Sequence, residues 1–125
     1  MKLDHDKIRL FLITIEDSTD PMGLPEKSAA TFADNNGMNR DELAYMVTKL
    51  HEGGLITGKV TWGGNSTVWI MPGNLTFAGH EYLDNIRDNK VWSAIKTRAK
   101  GIASISLGVA VELGKAEIKK QLGLI

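Results

Sequence analysis

From Asn39 to Gly54 the order NRDELAYMVTKLHEGG carries a full set of helix signals. Asn39 is placed to accept from the first-turn amides while Glu42, three residues on, reaches back, which is a capping box. Leu43, Met46, Val47 and Leu50 recur at helical spacing and form one apolar face, and Gly53-Gly54 supplies a left-handed stop. The opposite face carries Arg40, Asp41, Tyr45, Thr48 and Glu52, flanked by Ala44 and Lys49. Two runs rich in β-branched and aromatic residues follow, LITGKVTW and TVWIM, on either side of Gly63-Gly64-Asn65-Ser66. That pattern predicts a hairpin. Pro72, Gly73 and Asn74 end it, and Thr76 is a natural N-cap for a further helix.

A capped helix that feeds a two-stranded ribbon and returns into a helix is the layout of a winged helix-turn-helix. The rest of the chain can be fitted around it. Asp4 is placed as an N-cap for a first helix to about Asp17, with Ile8, Phe11, Leu12 and Ile15 as its stripe. STDPMGLP is a turn region whose Met22 to Leu24 patch is expected to add an edge strand to the ribbon. EKSAATFADN predicts a short helix that Asn36-Gly37 terminates, and its small residues Ala29, Ala30 and Ala33 permit close approach to the capped helix. From Thr76 one long helix is expected to about Ala99, broken at Gly101. A last helix should follow over residues 102 to 124, weakened by Gly108 and Gly114 at about 1 kcal/mol each relative to alanine.

At 125 residues the chain has the length of a single domain, which can bury about two-thirds of its unfolded surface. Cysteine is absent, so neither disulfides nor a thiolate metal site can form. The apolar start is interrupted by charges and lacks a small-residue cleavage site, so it is not read as a signal peptide. The uncharged run over residues 101 to 111 is too short to span a membrane, which takes about 20 apolar residues. Cytoplasmic placement is the expectation. The formal net charge is zero but unevenly spread: residues 1 to 89 hold 8 basic and 13 acidic side chains, residues 90 to 125 hold 7 and 2. Phosphate binding needs Lys and Arg in excess on one face, so the zero balance does not favour a nucleic-acid partner, and the positive charge lies in the tail.

Catalytic and metal chemistry find no foothold. Asp4-His5-Asp6 and His80-Glu81 lack helical metal-ligand spacing and read as capping and surface charge. Gly63-Gly64 is a turn rather than a phosphate cradle because no helix follows it directly. No nucleophile, base and orienting group occur in a recognisable order, so no enzyme, cofactor or metal is expected. Trp62 and Trp69 flank the hairpin turn and are expected to pair across the ribbon, or one of them to anchor a partner. Gly79 reads as a packing glycine. Lys90, Lys96, Arg98 and Lys100 form either a solvated face or one that rides on phosphates or an acidic partner.

KLHEGGLITGKV followed by LTFAGHEYL resembles the pattern of MarR-like and PadR-like winged-helix proteins. MKLDHDKIR and LTFAGHEYLDNIRDNKVW are similar to a bacterial and phage family known as domain of unknown function number 2513, over roughly residues 1 to 98. The most specific piece is GHEYLDNIRDNKVW. This resemblance implies a small winged-helix protein and assigns it no chemistry.

The expected fold is therefore α+β and mainly helical: a winged helix-turn-helix over residues 1 to 89 with a helical extension over 90 to 125. The expected function is a DNA-binding regulator of bacterial or prophage origin; the alternative is a protein-interaction or oligomerisation module that keeps the shape without using DNA. On the first reading Asn39, Arg40, Tyr45, Thr48 and Lys49 meet the major groove of double-stranded DNA, with Lys59, Asn65 and Ser66 on the backbone. A homo-oligomer is expected through Val91, Ile95, Ile102, Ile105, Val109 and Leu113, with no membrane span.

Overall fold

The computed structural model describes residues 1–125, the side chain of Val68 excepted. It is α+β and mainly helical, in the order α1 (His5–Asp17), α2 (Glu26–Asn35), α3 (Arg40–Glu52), β1 (Lys59–Gly63), β2 (Ser66–Met71), α4 (Phe77–Asp84), α5 (Asn89–Arg98) and α6 (Leu107–Gln121). Compactness divides it into two units, Met1–His80 and Glu81–Ile125, with the boundary inside α4.

In the first unit the helix signals act as read. Asp4 caps α1 by accepting from the Lys7 amide, and both halves of the Asn39–Glu42 capping box are formed. Gly54, at φ 74°, takes the left-handed conformation that stops α3. Ile8, Phe11, Leu12 and Ile15 are buried, as are Leu43, Met46, Val47 and Leu50. The Phe11 and Phe32 rings join α1 to α2, tilted at 55° with centroids 5.0 Å apart, an arrangement that adds about 0.5 to 1.5 kcal/mol to plain burial. The buried Ala44 belongs to the core rather than to the outer face of α3.

β1 and β2 pair antiparallel, with Val60 opposite Ile70 as the buried pair. The turn at the tip is tighter than the four residues expected: β1 runs to Gly63 and β2 starts at Ser66. The register shifts between Thr61 and Trp62, so Thr61 faces Trp69 and Trp62 faces Thr67. The expected pairing of the two tryptophans is therefore not made, and both are more than half exposed. Nor does the Met22 to Leu24 patch form a full strand. Leu24 makes one bridge to Gly73, its amide donating to the Gly73 carbonyl at 2.9 Å.

α4 starts where Thr76 accepts from the Gly79 amide at 2.9 Å. A Cβ on Gly79 would lie 2.1 Å from the Leu55 carbonyl oxygen, so this glycine is the contact that lets α4 start beside the approach to β1.

In the second unit the single long helix expected from Thr76 to Ala99 is two helices. The Ile86 and Arg87 amides both turn back to the Leu83 carbonyl, closing α4. Asp88 then accepts from the Lys90 and Val91 amides and starts α5. An aspartate competing for nearby amides favours a cap over a helix interior. α6 likewise begins at Leu107 rather than Ile102, because Ser106 caps it through the Val109 amide. Its inward residues are Ala110 and Gly114. The cause is close approach. A Cβ on Gly114 would meet the Asn85 carbonyl oxygen at 2.1 Å and Ile95 Cδ1 at 3.4 Å, and only a bare backbone fits.

The two glycines of α6 should then respond to alanine with opposite signs. Gly114→Ala forces its methyl into backbone and should destabilise by about 1 to 3 kcal/mol, the range for overpacking. Gly108 has only the Ser106 hydroxyl within reach, at 3.8 Å. Gly108→Ala should raise stability by up to about 1 kcal/mol through helix propensity. Thermal denaturation of the two variants decides it, and a rise in both would show that α6 does not pack on Gly114.

Tyr82 supplies a second measurement. It is buried, its hydroxyl has no hydrogen-bond partner among the described residues, and burial pushes its pKa from 10.0 up to about 12. The folded state thus favours the neutral phenol, and this stability is complete below the unfolded value and lost as pH rises toward the folded one. Between pH 10 and 12 the fold should lose about 2 to 3 kcal/mol from this group. In a Tyr45→Phe variant, phenolate absorbance near 295 nm should stay flat until the top of that window; a rise complete by pH 11 would mean Tyr82 is solvated.

Candidate nucleic-acid interface

The outer face of α3 and the tip of the hairpin are brought together by one guanidinium. Arg40, in the first turn of α3, donates through Nε to the Thr67 hydroxyl at 2.8 Å and through a terminal nitrogen to Glu26 at 3.1 Å. The same Glu26 oxygen accepts from the Ile70 amide at 3.2 Å. One carboxylate at the start of α2 thus ties down both α3 and β2. The capping box holds Asn39 beside Arg40, with its side chain accepting from the Glu42 amide at 2.8 Å.

Asn65 and Ser66 are exposed at the tip, next to Thr67, so they share this end of the structure with Asn39 and Arg40. Tyr45, Thr48 and Lys49 continue along α3 and are each half-buried. Lys49 reaches Glu52 at 2.8 Å, and that hydrogen bond, with the charge of the carboxylate, raises the lysine pKa. Its ammonium also lies 5.5 Å from the Tyr45 ring centroid. Tyr45 and Glu42 line a cleft of about 140 Å³ closed on the other side by Lys2, Asp4 and Lys7. Lys59 stands apart. It pairs with Met71 at the base of the hairpin, about 13 Å along the strand from the tip at about 3.3 Å per residue.

Seven of the eight residues expected to meet DNA therefore lie along α3 and the tip it is tied to, and Lys59 lies at the other end of the ribbon. The electrostatics are modest. Arg40 and Lys49 each face a carboxylate, and Met1–His80 holds 7 basic against 10 acidic side chains. Glu26 and Thr67 were not singled out by the sequence, because their partners lie 14 and 27 residues away and no local pattern records such a contact. The solvent side of the hairpin shows Trp62, Trp69 and Met71, all exposed.

Of the six residues expected at an oligomer interface, Val91 and Ile95 are each 2% exposed within their own chain and have no surface to offer a second one. Ile102 and Val109 are exposed, and Ile105 and Leu113 half-buried. Val109 and Leu113 line a shallow apolar depression on the outside of α6. Among the described residues no helix is long and apolar enough to cross a membrane.

An α+β protein of six helices and one small antiparallel ribbon is the class these features define. Residues 2–106 match the model of the family described as "Hypothetical protein (DUF2513)", and the chain belongs to that family. It is also 27% identical over 123 residues to a Haemophilus influenzae protein described as uncharacterized, covering 98% of this chain and 99% of that one. No solved structure matches.

The tie at Glu26 has an asymmetric energetic consequence. Arg40→Ala removes a partly exposed ion pair, which costs about 0 to 1 kcal/mol. Glu26→Ala also leaves the Ile70 amide unsatisfied, a penalty of about 1 to 3 kcal/mol. Urea unfolding should rank Glu26→Ala below Arg40→Ala, with Glu26→Gln close to the latter. Equal losses from the two alanine variants would show that the bond to Ile70 contributes nothing.

Proposed function

We propose that residues 1–80 form a winged helix-turn-helix and that the protein binds double-stranded DNA as a bacterial or prophage regulator. The observation that carries this reading is the Arg40 tie between α3 and the hairpin. It makes a capped helix with a polar outer face and the tip of a ribbon into one continuous surface, the arrangement in which such modules present a helix to the major groove and a wing to the backbone. α2, the tight turn at Gly37 and α3 supply the helix-turn-helix, and α1 lies against α2 through Phe11. Asn39, Tyr45 and Thr48 are the side chains for base edges. The same reading makes the protein a dimer through the exposed outer side of α6, around Val109 and Leu113.

A second reading rests on a separate observation. Trp62 and Trp69 stand out of the ribbon with more than half their surface in water. Exposed tryptophan is a usual anchor at protein interfaces. A protein-interaction module is the alternative that this feature favours.

Fluorescence polarisation with a random-sequence duplex at about 50 mM salt separates the two, since phosphate attraction is strongest at low salt. The expected result is binding that Arg40→Ala with Lys49→Ala weakens and Trp62→Ala with Trp69→Ala leaves intact. No binding by the wild-type chain removes the DNA reading. Light scattering on the same samples should give twice the chain mass at micromolar concentration, and a monomer there removes the dimer.

A further inference from the structure

The stretch richest in basic side chains without an acidic one among them is not on α3. Residues 89 to 111 contain four basic side chains and no acidic one. Within them α5 turns Val91, Trp92 and Ile95 inward. At 3.6 residues per turn this leaves Asn89, Lys90, Ser93, Lys96 and Thr97 together on the opposite face, with Lys100 just beyond its end. All six are exposed. Arg98 is set to one side and faces Glu117 at 3.6 Å. Lys90 and Lys100 form no ion pair among the described residues.

Helix stability accounts for only part of this pattern. Lys96 and Arg98 lie in the last turn, where they suit the negative end of the helix dipole. Lys90 lies in the first turn, where the dipole opposes a cation. The one carboxylate beside it, Asp88, is the cap and is engaged by the Lys90 and Val91 amides. Lysines interleaved with Asn, Ser and Thr give a face of hydrogen-bond donors around positive charge, which is the chemistry that grips a sugar-phosphate backbone. A membrane surface fits less well, because an interfacial helix presents its apolar residues outward to lipid. Those of α5 are buried.

We propose that the outer face of α5 is the main phosphate-binding surface of this protein, docking on the backbone of a duplex nucleic acid. This rests on the duplex-binding reading and relocates most of its electrostatic contribution. Both cations of α3 face carboxylates, Arg40 that of Glu26 and Lys49 that of Glu52.

The test is the salt dependence of duplex binding by the full chain. Neutralising three phosphate contacts should lower the slope of log affinity against log salt by about two to three, at about 0.9 per contact. Lys90→Ala, Lys96→Ala and Lys100→Ala combined should show that loss and at least a tenfold weaker affinity at low salt. The same three positions changed to Arg should keep the slope, and Arg40→Ala with Lys49→Ala should lower it by less than the triple alanine variant does. An unchanged melting temperature for the triple variant checks that it is folded. If the duplex is bound and the triple alanine variant leaves the slope intact, the α5 surface is refuted while the DNA reading survives. If the wild-type chain binds no duplex, both fall. Vesicles of phosphatidylserine and phosphatidylcholine should not retain the protein; retention that the triple variant abolishes, without duplex binding, would assign the face to membrane instead.

Discussion

The apolar side of α3 is what the first unit is assembled on. Leu43, Met46, Val47 and Leu50 are nearly excluded from water, and α2 and both strands pack against the helix that carries them. Burying a side chain of that size contributes about 1.5 to 3 kcal/mol. Four such residues on one short helix outweigh any single polar contact around them. The capping box matters because it fixes where the helix begins.

Polar contacts then decide orientation. Glu26 receives both the Arg40 guanidinium and the Ile70 amide, so the hairpin is held to the helices by directional bonds as well as by Val60 and Ile70 in the core. This matters for function because a two-stranded ribbon alone is only marginally stable in water. Tied at its side, it presents Asn65 and Ser66 in a defined place.

What the sequence discloses follows the range of the interaction. The caps at Asp4 and Asn39, the stripes of α1 and α3, the stop at Gly54 and the hairpin are all set by residues within four or five positions of one another, and all could be read directly. The break at Asp88 was equally local but hidden, since apolar residues continue on both sides of it at helical spacing. The register shift at Thr61 and Trp62 has no marker, so the tryptophans were expected to meet and do not. In α6 the sequence marks the large apolar residues as a surface for a second chain and is silent on the inward face, where the backbone of Asn85 selects the smallest residues, Ala110 and Gly114. Of the expected interface, α3 and the hairpin tip were legible as neighbours, whereas Glu26, which joins them, was not.

The three tryptophans are distributed in a way that gives the molecule its own optical labels. Trp62 and Trp69 stand in water on Met1–His80, and Trp92 is 7% exposed in Glu81–Ile125. An indole in water emits to the red of one in an apolar core. The two sides of the emission band thus follow different halves of the chain, and whether those halves melt together or in sequence is written into the colour of the unmodified protein.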